Sequence, residues 1–93
     1  MRTIEATSQF KRDFKREAKG AHREVVQNDF PTLLESLATD QPLPEKYRDH
    51  GLTGEWKDHR DCHVKPDLIL IYRKLAANVL QLVRLGSHSE LGF

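Results

Sequence analysis

The sequence predicts an α+β fold: one strand, two helices, then three antiparallel strands, with the helices covering one face of a small sheet. Two observations carry this. Apolar residues recur at helical spacing up to about residue 40, and after residue 50 the pattern changes to alternation and a short buried-looking run. The links between the later strands are short, Lys65-Pro66 and Ala76-Ala77-Asn78, which favours antiparallel neighbours. With 93 residues, the chain reads as one domain over 1–93.

Element by element, Arg2-Thr3-Ile4-Glu5-Ala6 alternates and reads as a short edge strand. Phe10, Phe14 and Ala18 recur at i, i+4, i+8 on one face of a first helix, which Thr7 or Ser8 can cap and Gly20 can end. The polar side of that helix carries Lys11, Arg12, Lys15, Arg16 and Lys19, either a solvated face or a stripe that rests on phosphate. Val26, Phe30, Leu33, Leu34 and Leu37 mark a second helix, where Pro31 should introduce a kink or begin a new segment capped by Asn28 or Asp29. Thr39-Asp40-Gln41-Pro42-Leu43-Pro44 ends it. The three strands then follow as Gly54 to Val64, Asp67 to Arg73 and Val79 to Leu85.

Composition excludes several classes. Charged residues are 31% and mean hydropathy is −0.66, as in an ordinary soluble protein. No apolar run approaches the ~18–20 residues of a membrane span, and the opening MRTIEATSQF lacks the apolar stretch of a signal peptide. A single cysteine, Cys62, makes no internal disulfide, so the expected compartment is the reducing cytoplasm. The net charge of +1 hides an asymmetry: residues 25–45 hold four acids and no Lys or Arg. Residues 46–93 hold eight basic residues, six acids and four of the five histidines.

The chemistry-bearing side chains concentrate in this second half: Asp49-His50, His59, His63, Asp67, Arg84 and His88. If the strand runs from Gly54, then Lys57, His59, Asp61 and His63 share one face, and Trp56, Asp58, Arg60 and Cys62 the other. The turn at Lys65-Pro66 returns Asp67 toward His63, and Arg84 and His88 join them if the last strand lies beside that one. Several histidines, a carboxylate and an arginine on an exposed sheet face can move protons and stabilise an anion. Plainer readings stand beside this one: a satisfied structural histidine, a turn aspartate after Pro66, packing aromatics at Trp56 and Tyr72, an inert thiol at Cys62. Arg84 lies inside an apolar strand, and a buried guanidinium there needs a partner. His59 and His63 on a strand stand ~13 Å apart and cannot share a metal ion. No phosphate-binding glycine loop, G-x-S-x-G or H-E-x-x-H is present, so neither metal nor cofactor is expected.

The set H-x-L-x-G-x-W (His50 to Trp56), R-D-x-H-x-x-P-D (Arg60 to Asp67), Leu70-Ile71-Tyr72 and R-x-G-S-H (Arg84 to His88) resembles the YafQ branch of the RelE/ParE toxin superfamily over nearly the whole chain. The resemblance implies a type II toxin with a RelE-like β-α-α-β-β-β fold. Its activity would be ribosome-dependent endoribonuclease cleavage of mRNA in the A site of the 70S ribosome, without metal. Its implied partner is a co-expressed DinJ/RelB-like antitoxin. Carried over by motif, the catalytic set is His50, His63, Asp67, Arg84 and His88. RNA-binding candidates are Trp56, Lys57, His59 and Phe93, and Lys11, Lys15 and Lys19 would meet antitoxin or ribosomal RNA. Two departures stand out: Asp58-His59 replaces Gly and a bulky residue, and the terminal Phe93 falls one place later than the family's. A relative that only docks antitoxin or ribosome, and a gyrase poison on the same fold, are the alternatives.

Overall fold

In a computed structural model describing residues 1–76 and 78–92, the order is β1 (Thr3–Ala6), α1 (Ser8–Lys19), α2 (Arg23–Ala38), β2 (His50–Gly51), β3 (Arg60–Lys65), β4 (Leu68–Leu75), β5 (Val79–Gly86) and α3 (His88–Leu91). Short 3-10 turns occupy Glu45–Tyr47 and Gly54–Trp56. The five strands form one sheet in the order β1-β5-β4-β3-β2. The β3–β4 and β4–β5 pairings are antiparallel, as the short links imply, whereas β1 runs parallel to β5, Thr3 opposite Val79 and Ala6 opposite Leu82. A crossover through both helices brings the chain to the far edge, and β5 then returns beside β1.

Both helices form where expected. Thr7 accepts the Phe10 N–H at 3.0 Å as the N-cap of α1, and Gly20 closes its last turn through Glu17. α2 is one helix through Pro31, so no new segment begins at Asn28 or Asp29. Its buried stripe Val26, Phe30, Leu33 and Leu37 packs on both sides of the proline, and tertiary burial holds the helix across the missing hydrogen bond. Phe10, Phe14 and Phe30 stack at centroid distances of 5.8–6.1 Å and join the two helices. The core lies between the helices and one sheet face: Cys62, Val64, Leu68, Leu70, Tyr72, Leu80, Leu82 and Leu85 are all buried there.

The other sheet face has only a small apolar floor, Ile69, Ile71 and Leu91 with Leu52, Trp56 and Val83 against it. No helix among the described residues is long and apolar enough to cross a membrane.

Candidate active site

The strand expected from Gly54 begins only at Arg60. Before it, Gly54 and Asp58 take positive φ (68° and 70°), and Leu52 N–H donates to His59 C=O to close a loop. Lys57 and His59 therefore lie in that loop and do not share the strand face with His63. His59 instead packs edge-on against Trp56, centroids 5.4 Å apart, with its Nδ1 3.1 Å from Lys57 C=O. Alternation misplaced this stretch because charged residues at every second position also suit a solvent-exposed loop. Phe93 lies outside the described residues.

The last strand also does not neighbour β3, as the converging of Arg84 and His88 on His63 required; β4 lies between. Convergence at His88 occurs all the same. His63, Ile69 and Gly86 form one cross-sheet row, and the chain past Gly86 folds over it into α3. There Ser87 and Glu90 form a reciprocal cap: the Ser87 side chain accepts Glu90 N–H at 3.2 Å, and Glu90 accepts Ser87 N–H at 2.8 Å. A Cβ at Gly86 would meet Arg16 Nη2 at 2.9 Å and Glu90 Oε1 at 3.1 Å, so a larger residue there would displace the ends of both side chains.

The cap sets His88 at the first helical position, with its ring 5.6 Å from that of His63. Asp67, in the β3–β4 turn, accepts both the His88 backbone N–H (3.1 Å) and ring Nδ1–H (2.8 Å). Hydrogen bonds from His88 hold the Asp67 carboxyl below its ordinary range, so it is ionised and can only accept. That fixes Nδ1 of His88 as the protonated nitrogen and leaves Nε2 to carry the exchangeable proton.

His50 stands one same-face step along, opposite Asp61 in the β2–β3 pairing. Its Nδ1 lies 2.8 Å from the Arg48 carbonyl, which can only accept, so Nδ1 carries a proton here too. Its Nε2 is 3.1 Å from Oδ1 of Asp61, out of line for a hydrogen bond, and this buried oxygen has no hydrogen-bond partner. Burial raises the Asp61 pKa, against the pull of His50, His63 and His88. Arg48 itself is left-handed (φ 48°), a strained backbone position next to the site. A cleft of about 410 Å³ opens here, lined by Lys46, Arg48, His63, Pro66 and His88.

Arg84 ends the adjacent cross-sheet row, after Asp61 and Ile71. Its guanidinium is held by Asp13 of α1, with Nε–H to Oδ2 at 2.7 Å and Nη2–H to Oδ1 at 3.4 Å. Cys62 is fully buried on the helix side and burial pushes its thiol well up, so it is inert. Lys11 and Lys15 rim an apolar groove of about 550 Å³ walled by Phe10, Phe14, Phe30 and Leu34; Lys19 does not line it.

Sequence reasoning thus missed Lys46, Arg48 and Asp13, and placed Asp61 on the face of His63 without giving it a role. Lys46 and Arg48 open the basic second half, a signal available but not used. Asp13 sits three residues from Phe10, on the helix's inner face, where a carboxylate needs a cation; Arg84 needed a partner, and each is the other's.

A model of the bacterial toxin of type II toxin-antitoxin systems, YafQ, matches residues 2–92. The mRNA interferase toxin YafQ of Escherichia coli (strain K12) is 42% identical over 91 residues, covering 97% of this chain and 95% of that one. The fold superposes on the E. coli DinJ-YafQ complex with a TM-score of 0.81 at 41% identity, covering 98% of each chain. It also superposes on a metal-bound toxin from Helicobacter pylori with a TM-score of 0.82 at 48% identity, covering 98% of this chain and 99% of that one. In this chain, among the described residues, no three His, Cys, Asp or Glu side chains are grouped to hold an ion. With that motif set, that sheet order and that match over nearly its whole length, the chain belongs to the YafQ family of bacterial type II toxins.

Proposed function

We propose that this toxin, an mRNA interferase, cuts mRNA in the A site of the 70S ribosome by general acid–base catalysis on the open sheet face. The ribose 2′-OH is the nucleophile. His50 or His63 takes its proton, O2′ bonds to phosphorus, and the bond to the departing 5′-oxygen breaks. His88 Nε2–H protonates that oxygen, leaving a 2′,3′-cyclic phosphate and a 5′-hydroxyl. Asp67 keeps Nδ1 of His88 protonated and the ring oriented. Arg84 supplies positive charge to the pentavalent phosphate, and Lys46 and Arg48 hold the flanking backbone from the cleft wall.

The observation that carries this reading is the His63–His88–Asp67 assembly, where one ring has a fixed tautomer and another stands within van der Waals reach. Trp56 and His59 form the neighbouring rim, where a base could stack. The antitoxin is DinJ-like, as in the E. coli complex, and Lys11, Lys15 and Lys19 on the helix side meet it or ribosomal RNA. The setting is the cytoplasm.

Induced expression of wild type and His88→Ala in bacteria, with mRNA 5′ ends mapped, tests the proposal. In-frame cuts within translated messages that vanish in the variant are expected. Growth arrest by the wild type without new 5′ ends would overturn the nuclease reading in favour of a gyrase poison or a binding module.

A further inference from the structure

Asp13 has no exposed surface, yet it is ionised: burial pushes its carboxyl up, and hydrogen bonds from Arg84, the Leu85 N–H and Gln9 more than offset this. Its two oxygens are crowded. Oδ2 accepts from Arg84 Nε (2.7 Å) and Leu85 N–H (3.0 Å), and Oδ1 from Arg16 Nη1 (3.0 Å), Gln9 Nε2 (3.3 Å) and Arg84 Nη2 (3.4 Å). Buried as it is, the carboxylate needs several such partners to stay ionised. Here the two oxygens grip one guanidinium side-on, through Nε and Nη2, which leaves Nη1 with no hydrogen-bond partner among the described residues.

The strand is shaped to allow this grip. Leu82 pairs with Tyr72 and Arg84 with Ile71, so Val83 is an extra residue and β5 bulges. Bulges re-aim side chains next to sites. β1 ends opposite Leu82, so Arg84 lies where the β5 edge is open, and its side chain is about one-quarter exposed (23%). Arg16 extends the same anchor: it donates to Leu85 C=O at 2.9 Å and pairs with Glu90, which caps the turn bearing His88.

We infer that Asp13 is a positioning residue for cleavage: it holds Arg84 by one side of the guanidinium so that the remaining donor meets the scissile phosphate. This rests on the proposed role of Arg84, and it accounts for why that arginine is fixed from the opposite layer of the molecule. A guanidinium locked in advance loses no rotamer freedom when the pentavalent phosphate forms.

Single-turnover cleavage of mRNA on programmed 70S ribosomes, at saturating toxin, is compared for Asp13→Asn, Arg84→Ala, the double variant and Arg84→Lys. Asp13→Asn and Arg84→Ala are each expected to slow cleavage by at least about 10-fold without weakening ribosome binding, and the double variant to be within about 2-fold of Arg84→Ala. Arg84→Lys keeps the charge but gathers its donors on one nitrogen, which cannot rest on Asp13 and also reach out to the phosphate, so it is expected to be as slow as Arg84→Ala. A purely structural Asp13 would slow Arg84→Ala by the same factor as wild type, and that result overturns the inference. Wild-type rate in Arg84→Lys overturns it as well, and does so even if Asp13→Asn fails to fold. Wild-type rate in Arg84→Ala removes the role of Arg84 itself, and the inference with it; slow Arg84→Ala beside fast Asp13→Asn removes the inference alone.

Discussion

On the helix-covered face of the sheet, Cys62, Leu70, Tyr72 and Leu85 pack against two helices, and no histidine lies in that cluster. On the opposite face the same strands, and the loops that leave them, carry His50, Asp61, His63, Asp67 and His88 over a floor of Ile69, Ile71 and Leu91. One face is built for burial. The other keeps polar groups partly desolvated, with an unpartnered buried oxygen on Asp61 and a left-handed backbone at Arg48. The contrast teaches that stability and chemistry are separable here to the thickness of one sheet, except along β5, where Asp13 reaches from the helix layer to Arg84.

Substitutions on the two faces should therefore part company. The largest effect belongs to His88→Ala, which removes the general acid: cleavage on ribosomes should fall about 10²–10⁴-fold while the thermal midpoint stays within error, as quench kinetics and a melting curve would show. Leu70→Ala should reverse this pattern, costing about 2–5 kcal/mol in urea unfolding but little cleavage per folded molecule. If Leu70→Ala abolished cleavage at full folding, the faces would not be separable.

Asp61→Asn sharpens the comparison by trading one property for the other. The folded state raises the Asp61 pKa, so its neutral form is favoured, and its unfavourable ionisation weakens the fold as pH rises through that value. At pH 7 the variant should be more stable than wild type by about 1 kcal/mol, with the gap closing as the pH falls below the carboxylate range. Equal melting points at all pH values would show that His50 fully compensates Asp61.

The smallest effect lies away from both faces. Asp40, exposed between Lys74 Nζ (2.6 Å) and Arg2 Nε (2.9 Å), has its carboxyl held down to about 2 by those two cations. A depressed carboxylate contributes stability above its unfolded pKa and loses it as the pH falls through the folded one. Between about pH 4 and 2, wild type should lose slightly more stability than Asp40→Asn, and added salt should erase the difference.

The elements and the members of the site were legible in the sequence to different degrees. Phe10, Phe14 and Phe30 marked the helices because burial writes itself as periodicity. His63, Asp67 and His88 were legible as a motif, and their assembly follows from a row across β3, β4 and β5. Lys57 and His59 were misplaced because polar alternation does not distinguish a strand from a loop held by left-handed Asp58. The parallel β1–β5 pairing and the Asp13–Arg84 contact depend on residues more than 70 positions apart, a separation that local pattern does not encode.

The most direct test of the central claim is the chemistry of the cut ends. Wild-type toxin on mRNA-programmed ribosomes, with and without a strong chelator in buffer matched for the magnesium the ribosome needs, should leave a 2′,3′-cyclic phosphate and a 5′-hydroxyl at an unchanged rate. A 5′-phosphate end, or cleavage that stops when trace transition metals are removed, would contradict acid–base catalysis by the histidine face.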